Sequence, residues 1–198
     1  MKLTDIKKEL NKLDKKKLAD MVLELCKKNK SVKEYFDFFF QPNEFELFQK
    51  YKDKVFDSFF PRRGSRTKLK DAQQAISDFK RLEPSKNLQA DLMLFYVECG
   101  VKLSGDFGGF DETLDKSTIR MCAQAFELMR KESLLEIFIE RADKIMQAAD
   151  GMGAGFDDAL FDLNLNYFED YREDETDEEQ IENDTKTNEE KIIPLKKV

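Results

Sequence analysis

Histidine is missing from all 198 residues. The commonest general base and metal ligand is therefore gone, and with it every Ser–His or Cys–His nucleophile pair and the Glu-x-x-His element of a helical di-iron site. Tryptophan is absent too, which leaves 18 phenylalanines as the large packing units. Eight glycines and four prolines are few; chains of β-sandwiches or barrels need many more turn residues. The three cysteines, Cys26, Cys99 and Cys122, are an odd number without CxxC spacing, each inside an apolar helical pattern. They read as small buried hydrophobes in a reducing compartment, not as a zinc site. No apolar run approaches the ~18 residues that span a bilayer, and the start MKLTDIKKEL is too charged for a signal peptide. These absences point to a cytoplasmic chain without membrane contact, cofactor or metal, and to a protein that is not an enzyme.

What is present is helical periodicity. Ser85–Leu103 is apolar almost all round, with Leu88, Leu92, Phe95, Cys99 and Leu103 on one face and Met93, Tyr96, Val97, Gly100 and Val101 on the flanks. Such a helix must be enclosed by others. Ser85 is placed to cap it. Gly100, costly inside a helix, marks the close approach of a neighbour. Only Asp91, Glu98 and Lys102 form a wet stripe, Glu98 and Lys102 at favourable i,i+4 spacing.

Around this stretch the chain reads as eight or nine helices. Thr4 and Asp14 are candidate caps for the first two; the second carries Leu18, Met21, Val22, Leu25 and Cys26 at amphipathic spacing. Ser31 opens a third whose Tyr35, Phe36, Phe38, Phe39 and Phe40 are too dense for one face, so it is expected to be covered on two sides. A fourth runs from Glu44 to about Phe60, and Thr67 is placed to cap a fifth with Ala72, Ala75, Ile76 and Phe79 inward. Asp111 caps a helix through Arg130, and Ser133 starts the next. Gly151, Gly153 and Gly155 let the chain turn with φ > 0. Residues 156–171 fit a helix better than an alternating strand. The expected fold is all-α: an irregular, solenoid-like stack of antiparallel helical hairpins, with a compact bundle as the second choice. One helical domain spans 1–171, and 172–198 is a disordered acidic tail.

Charge is unevenly shared. Residues 1–90 carry 22 Lys+Arg against 14 Asp+Glu, a net +8, whereas residues 91–198 carry 12 against 27, a net −15. Between Glu169 and Glu190 stand 12 acidic and two basic residues, a stretch that either solvates the chain or competes with a polyanion for its basic half. Arg62, Arg63, Arg66, Lys68 and Lys70 crowd a loop at a helix start, where cations oppose the macrodipole and an anion would compensate them. They are the candidate anion-binding residues, against the plainer reading of a soluble loop. Other motifs carry less. Asp106-Phe107-Gly108 matches a kinase tripeptide without the rest of a kinase. Glu136, Glu140 and Asp143 alternate with Arg141 and Lys144 as a solvated stripe. Asp162, Asn164 and Asn166 lack the glycine and glutamate of a calcium loop.

The segments LTDIKKELNKLDKKKLADMVLELCKKN, KLKDAQQAISDFKRL and LMLFYVECGVKLSGDFGGFDE give the chain, over roughly residues 3–130, a resemblance to an uncharacterised bacterial family, domain of unknown function 6155. The resemblance implies an all-helical protein with no assigned activity and transfers no functional residue. The expected function is that of a non-enzymatic helical scaffold binding another macromolecule, foremost a protein. The alternative is nucleic-acid or phosphate binding through the basic loop 61–70, with the acidic tail as competitor.

Overall fold

The computed structural model describes residues 1–62, 66–106, 111–153 and 155–189, with side chains as far as Arg172. Among these residues there are nine α-helices and no strand, so the all-α class holds. The sequence reads as one domain, but contacts divide the chain into two compact units, Met1–Leu47 and Phe48–Val198. Each is described by itself.

The first unit contains α1 (Leu3–Leu10), α2 (Lys15–Lys28) and α3 (Lys30–Phe40) and enters α4 (Glu44–Phe59). Asp14 caps α2, its Oδ1 accepting from the Lys17 N–H at 2.8 Å. Elsewhere the caps are not those expected. Lys2 is the N-cap of α1 and its N–H donates to Asp5 Oδ2 at 3.1 Å, which leaves Thr4 inside the helix. Asn29, not Ser31, caps α3, accepting from the Ser31 N–H at 3.3 Å. None of these three helices contains a buried residue. The expected two-sided cover of α3 is therefore missing among the described residues: Tyr35, Phe39 and Phe40 are exposed. Its rings shelter each other instead, Tyr35 stacking on Phe39 at 6.1 Å and Phe36 on Phe40 at 6.0 Å. A unit this small has too little interior for so much apolar surface.

The second unit takes α4 from Phe48 and continues with α5 (Leu69–Arg81), α6 (Lys86–Asp106), α7 (Glu112–Lys131), α8 (Leu135–Ala149) and α9 (Phe156–Glu189). From α5 on, each helix packs against its successor, and α6 and α7 also reach the next but one. A stack of helical hairpins and a bundle share that pattern. Helix α6 is the hub, with twelve of its 21 residues buried. Each fully enclosed Leu, Met or Val there contributes roughly 1.5–3 kcal/mol by leaving water. Phe95, assigned to the inner face, is only half-buried, with Lys52 Nζ 4.6 Å from its ring centre. The enclosed aromatic is its neighbour Tyr96, edge-on to Phe59 at 4.7 Å.

Gly100 does sit where another element comes close. A Cβ there would overlap Thr118 Oγ1 of α7 and lie 2.8 Å from its Cγ2. Asp111 caps α7 as expected, accepting from the N–H groups of Thr113 at 3.0 Å and Leu114 at 3.1 Å. Ser133 ends α7 rather than starting α8. It has φ 57°, its N–H donates to Arg130 O at 3.3 Å, and the Leu134 N–H donates back to Met129 O at 2.8 Å. That pair of bonds is a Schellman closure, which asks for a left-handed residue at this position. Thr67 likewise does not cap α5, whose N-cap is Lys68; its Oγ1 donates to Phe59 O at 3.1 Å.

Gly151, Gly153 and Gly155 have φ of 76°, 72° and 77°, the left-handed values expected of them. Residues 156–171 are helical, as the first part of α9. The acidic stretch expected to be disordered falls on the remainder of α9 and on residues 190–198, which lie outside the described residues. So does most of the tripeptide ending in Gly108. No helix among the described residues is long and apolar enough to cross a membrane.

Candidate functional site

The apolar side chains that the first unit cannot bury form one connected feature. Helices α2 and α3 pack against each other, and a hollow of about 760 Å³ opens between Leu18, Val22 and Cys26 on one and Phe36 and Phe40 on the other. The amphipathic spacing of α2 puts its three residues in line, and the i,i+4 pair Phe36–Phe40 faces them. Around the hollow, Leu23 is 57 % exposed, Phe39 63 % and Phe40 71 %. Scattered exposed apolar residues are ordinary, whereas a contiguous set on two adjoining helices is a candidate interaction surface.

The rim is charged. Lys33 Nζ donates to Asp37 Oδ2 at 2.6 Å, and this hydrogen bond to the carboxylate, with its charge, holds the Lys33 ammonium above its ordinary value. Helix α2, one wall of the hollow, carries five lysines against two acidic side chains, so that wall has a net positive charge. Cys26 lines the hollow half-exposed, unlike the other two cysteines. Sequence reading found these residues but assigned them to a buried face, because amphipathic spacing does not say whether a partner face lies in the same chain.

The basic loop fares differently. Arg62, Arg66, Lys68 and Lys70 are exposed, and Arg63 lies outside the described residues. The Lys68 N–H donates to Ser58 O at 2.8 Å, tying the loop's end to α4, and its ammonium reaches Asp71 at 4.0 Å. No described contact draws Arg62, Arg66 and Lys70 together. Each is an exposed cation of its own.

Two polar clusters in the second unit were read as solvated stripes. Arg141 of α8 turns inward to α6, its Nε donating to Glu98 Oε1 at 2.6 Å and its Nη1 to Asp91 Oδ1 at 2.6 Å. Burial opposes that charge, but the hydrogen bonds it donates to Glu98 and Asp91 hold the guanidinium above its ordinary value. Glu98 is thus spent on α8 and not on Lys102, which pairs with Asp106 at 3.6 Å. Asp143, also read as solvated, accepts from Asn164 Nδ2 at 3.0 Å and pairs with Arg172 of α9. Both clusters staple helices together, and each of their carboxylates has a cationic partner. Among the described residues, no group of three or more Cys, Asp or Glu is arranged to hold a metal ion.

A family model described as a family of unknown function (DUF6155) matches residues 1–152. No curated protein and no solved structure matches the chain.

Proposed function

Since the chain belongs to DUF6155, a family of unknown function, its role has to be argued from its own surface, and we propose that it is a non-enzymatic helical scaffold of the cytoplasm that binds another protein. The docking surface is the α2–α3 hollow, and its occupant is an amphipathic helix with an acidic polar face. One observation carries this reading: α1–α3 bury nothing while exposing a continuous apolar hollow. A groove of aliphatic and aromatic side chains takes the apolar stripe of a helix, and lysines around it favour acidic residues beside that stripe.

The test uses the full chain and a labelled acidic amphipathic peptide of about 20 residues, read by fluorescence anisotropy. Saturable binding that Val22→Asp or Phe36→Asp weakens at least about tenfold, and that salt weakens further, supports the reading. Equal binding by both variants overturns it. Concentration-dependent dimerisation abolished by Val22→Asp overturns the acidic-helix occupant in favour of a second copy of the chain.

The second reading, nucleic-acid or phosphate binding through the loop, is supported by the exposure of Arg62, Arg66, Lys68 and Lys70. Reversing Arg62, Arg63 and Arg66 to Glu removes salt-sensitive nucleic-acid binding under that reading and leaves peptide binding intact under the first.

A further inference from the structure

On the second unit, two adjoining hollows of about 320 and 520 Å³ lie between α5 and α7 and share Gln73, Ser117 and Arg120 as lining. Their floor is fixed. Tyr96 Oη on α6 is 2.5 Å from Ser117 Oγ, and Gln73 Nε2 donates to the same oxygen at 2.8 Å. Lys80 and Ser77 of α5 and Gln124 of α7 complete the smaller hollow.

The charge there is one-sided. Among the described residues neither Lys80 nor Arg120 has an ion-pair partner, and the one carboxylate among the lining residues, Glu112, is engaged by Lys116 at 2.5 Å. Lys80 is half-buried, and burial together with Lys86 pushes its ammonium below the ordinary value. A partly desolvated cation facing a hollow, with a guanidinium across from it, is an arrangement completed by an anion.

We propose that the α5–α7 hollow binds the phosphate group of a small phosphorylated, hydroxyl-bearing molecule, seated between Lys80 and Arg120. Arg120 presents a fork that matches two phosphate oxygens, and Lys80 supplies a point charge to a third. Ser77, Gln73 and Gln124 offer hydroxyl and amide groups to the remainder of the ligand. No aromatic ring lines either hollow, so nothing stacks on a nucleobase and a sugar phosphate fits better than a nucleotide. The volume of the smaller hollow lies at the lower end of those that enclose small ligands. This site is separate from the 61–70 loop and independent of the peptide-docking proposal.

Isothermal titration of the full chain with ribose 5-phosphate, with ribose as the uncharged control, tests it. The expected result is saturable binding of the phosphate ester, none of ribose, and a loss of at least about tenfold in both Lys80→Met and Arg120→Gln. Arg120 is exposed, so its variant keeps the fold, and circular dichroism checks Lys80→Met. Arg62→Glu with Arg66→Glu should leave the affinity within about twofold when salt is held fixed. No saturable binding, binding that both hollow variants retain, or binding lost only in the loop variant overturns the proposal.

Discussion

Gly100 is one residue whose neighbour explains it fully. The α6 backbone meets α7 there, and the Thr118 hydroxyl, donating to Leu114 O at 2.9 Å, occupies the space of a side chain. Gly100→Ala gains about 1 kcal/mol of helix propensity and loses more to overlap, since overfilling a tight core costs ~1–3 kcal/mol. The expected outcome is a net loss of about 1–2 kcal/mol in urea melts, relieved when Thr118→Ala is added. An unchanged or raised midpoint for Gly100→Ala alone would show that α6 and α7 do not approach there. At the same scale, Arg141 shows how one long side chain changes the meaning of two others. Asp91 and Glu98 are a wet stripe in sequence and a clasp in space.

Among the elements, the ends of helices tell more than their middles. Asp14 and Asp111 cap as their side chains suggest, because an Asp followed by free N–H groups needs nothing beyond the next three residues. Ser133 misleads because Ser is a capping type too, yet here it closes α7 with a left-handed backbone. That conformation costs an L-residue roughly 1–2 kcal/mol, which glycine avoids. Ser133→Gly is therefore expected to stabilise the protein by about 0.5–1 kcal/mol after the entropy of the unfolded glycine is subtracted. A lower melting midpoint would argue that the Ser side chain has a role beyond the turn.

Across the whole molecule the two units differ in what they enclose. Burial pushes the Cys122 thiol up to about 12. Cys99 reaches about 12 as well, by burial and the nearby Glu98, against Lys52. Cys26, in the first unit, is half-exposed. At pH 8 a thiol reagent should modify one cysteine per chain rapidly, Cys26, and the other two only at the rate of unfolding. Fast modification of two or three would mean that the second unit is open. The linkage has a definite sign. The folded state keeps both buried thiols protonated where the unfolded chain ionises, so their contribution to stability is intact below pH 9.0 and lost as pH rises towards about 12.

The sequence alone determined the helical class, the burial of α6, the glycine turn at 151–155 and two of the caps. Each of these depends on periodicity or on residues within a turn of one another. It also marked which side chains were apolar in α2 and α3. Only the tertiary structure decided that this apolar face stays uncovered among the described residues, that Arg141 turns inward, and that Lys80 and Arg120 share a hollow though forty residues apart. The reason is that local hydrogen bonds and side-chain spacing are written along the chain, whereas the partner of a face or a charge is chosen by which helices meet.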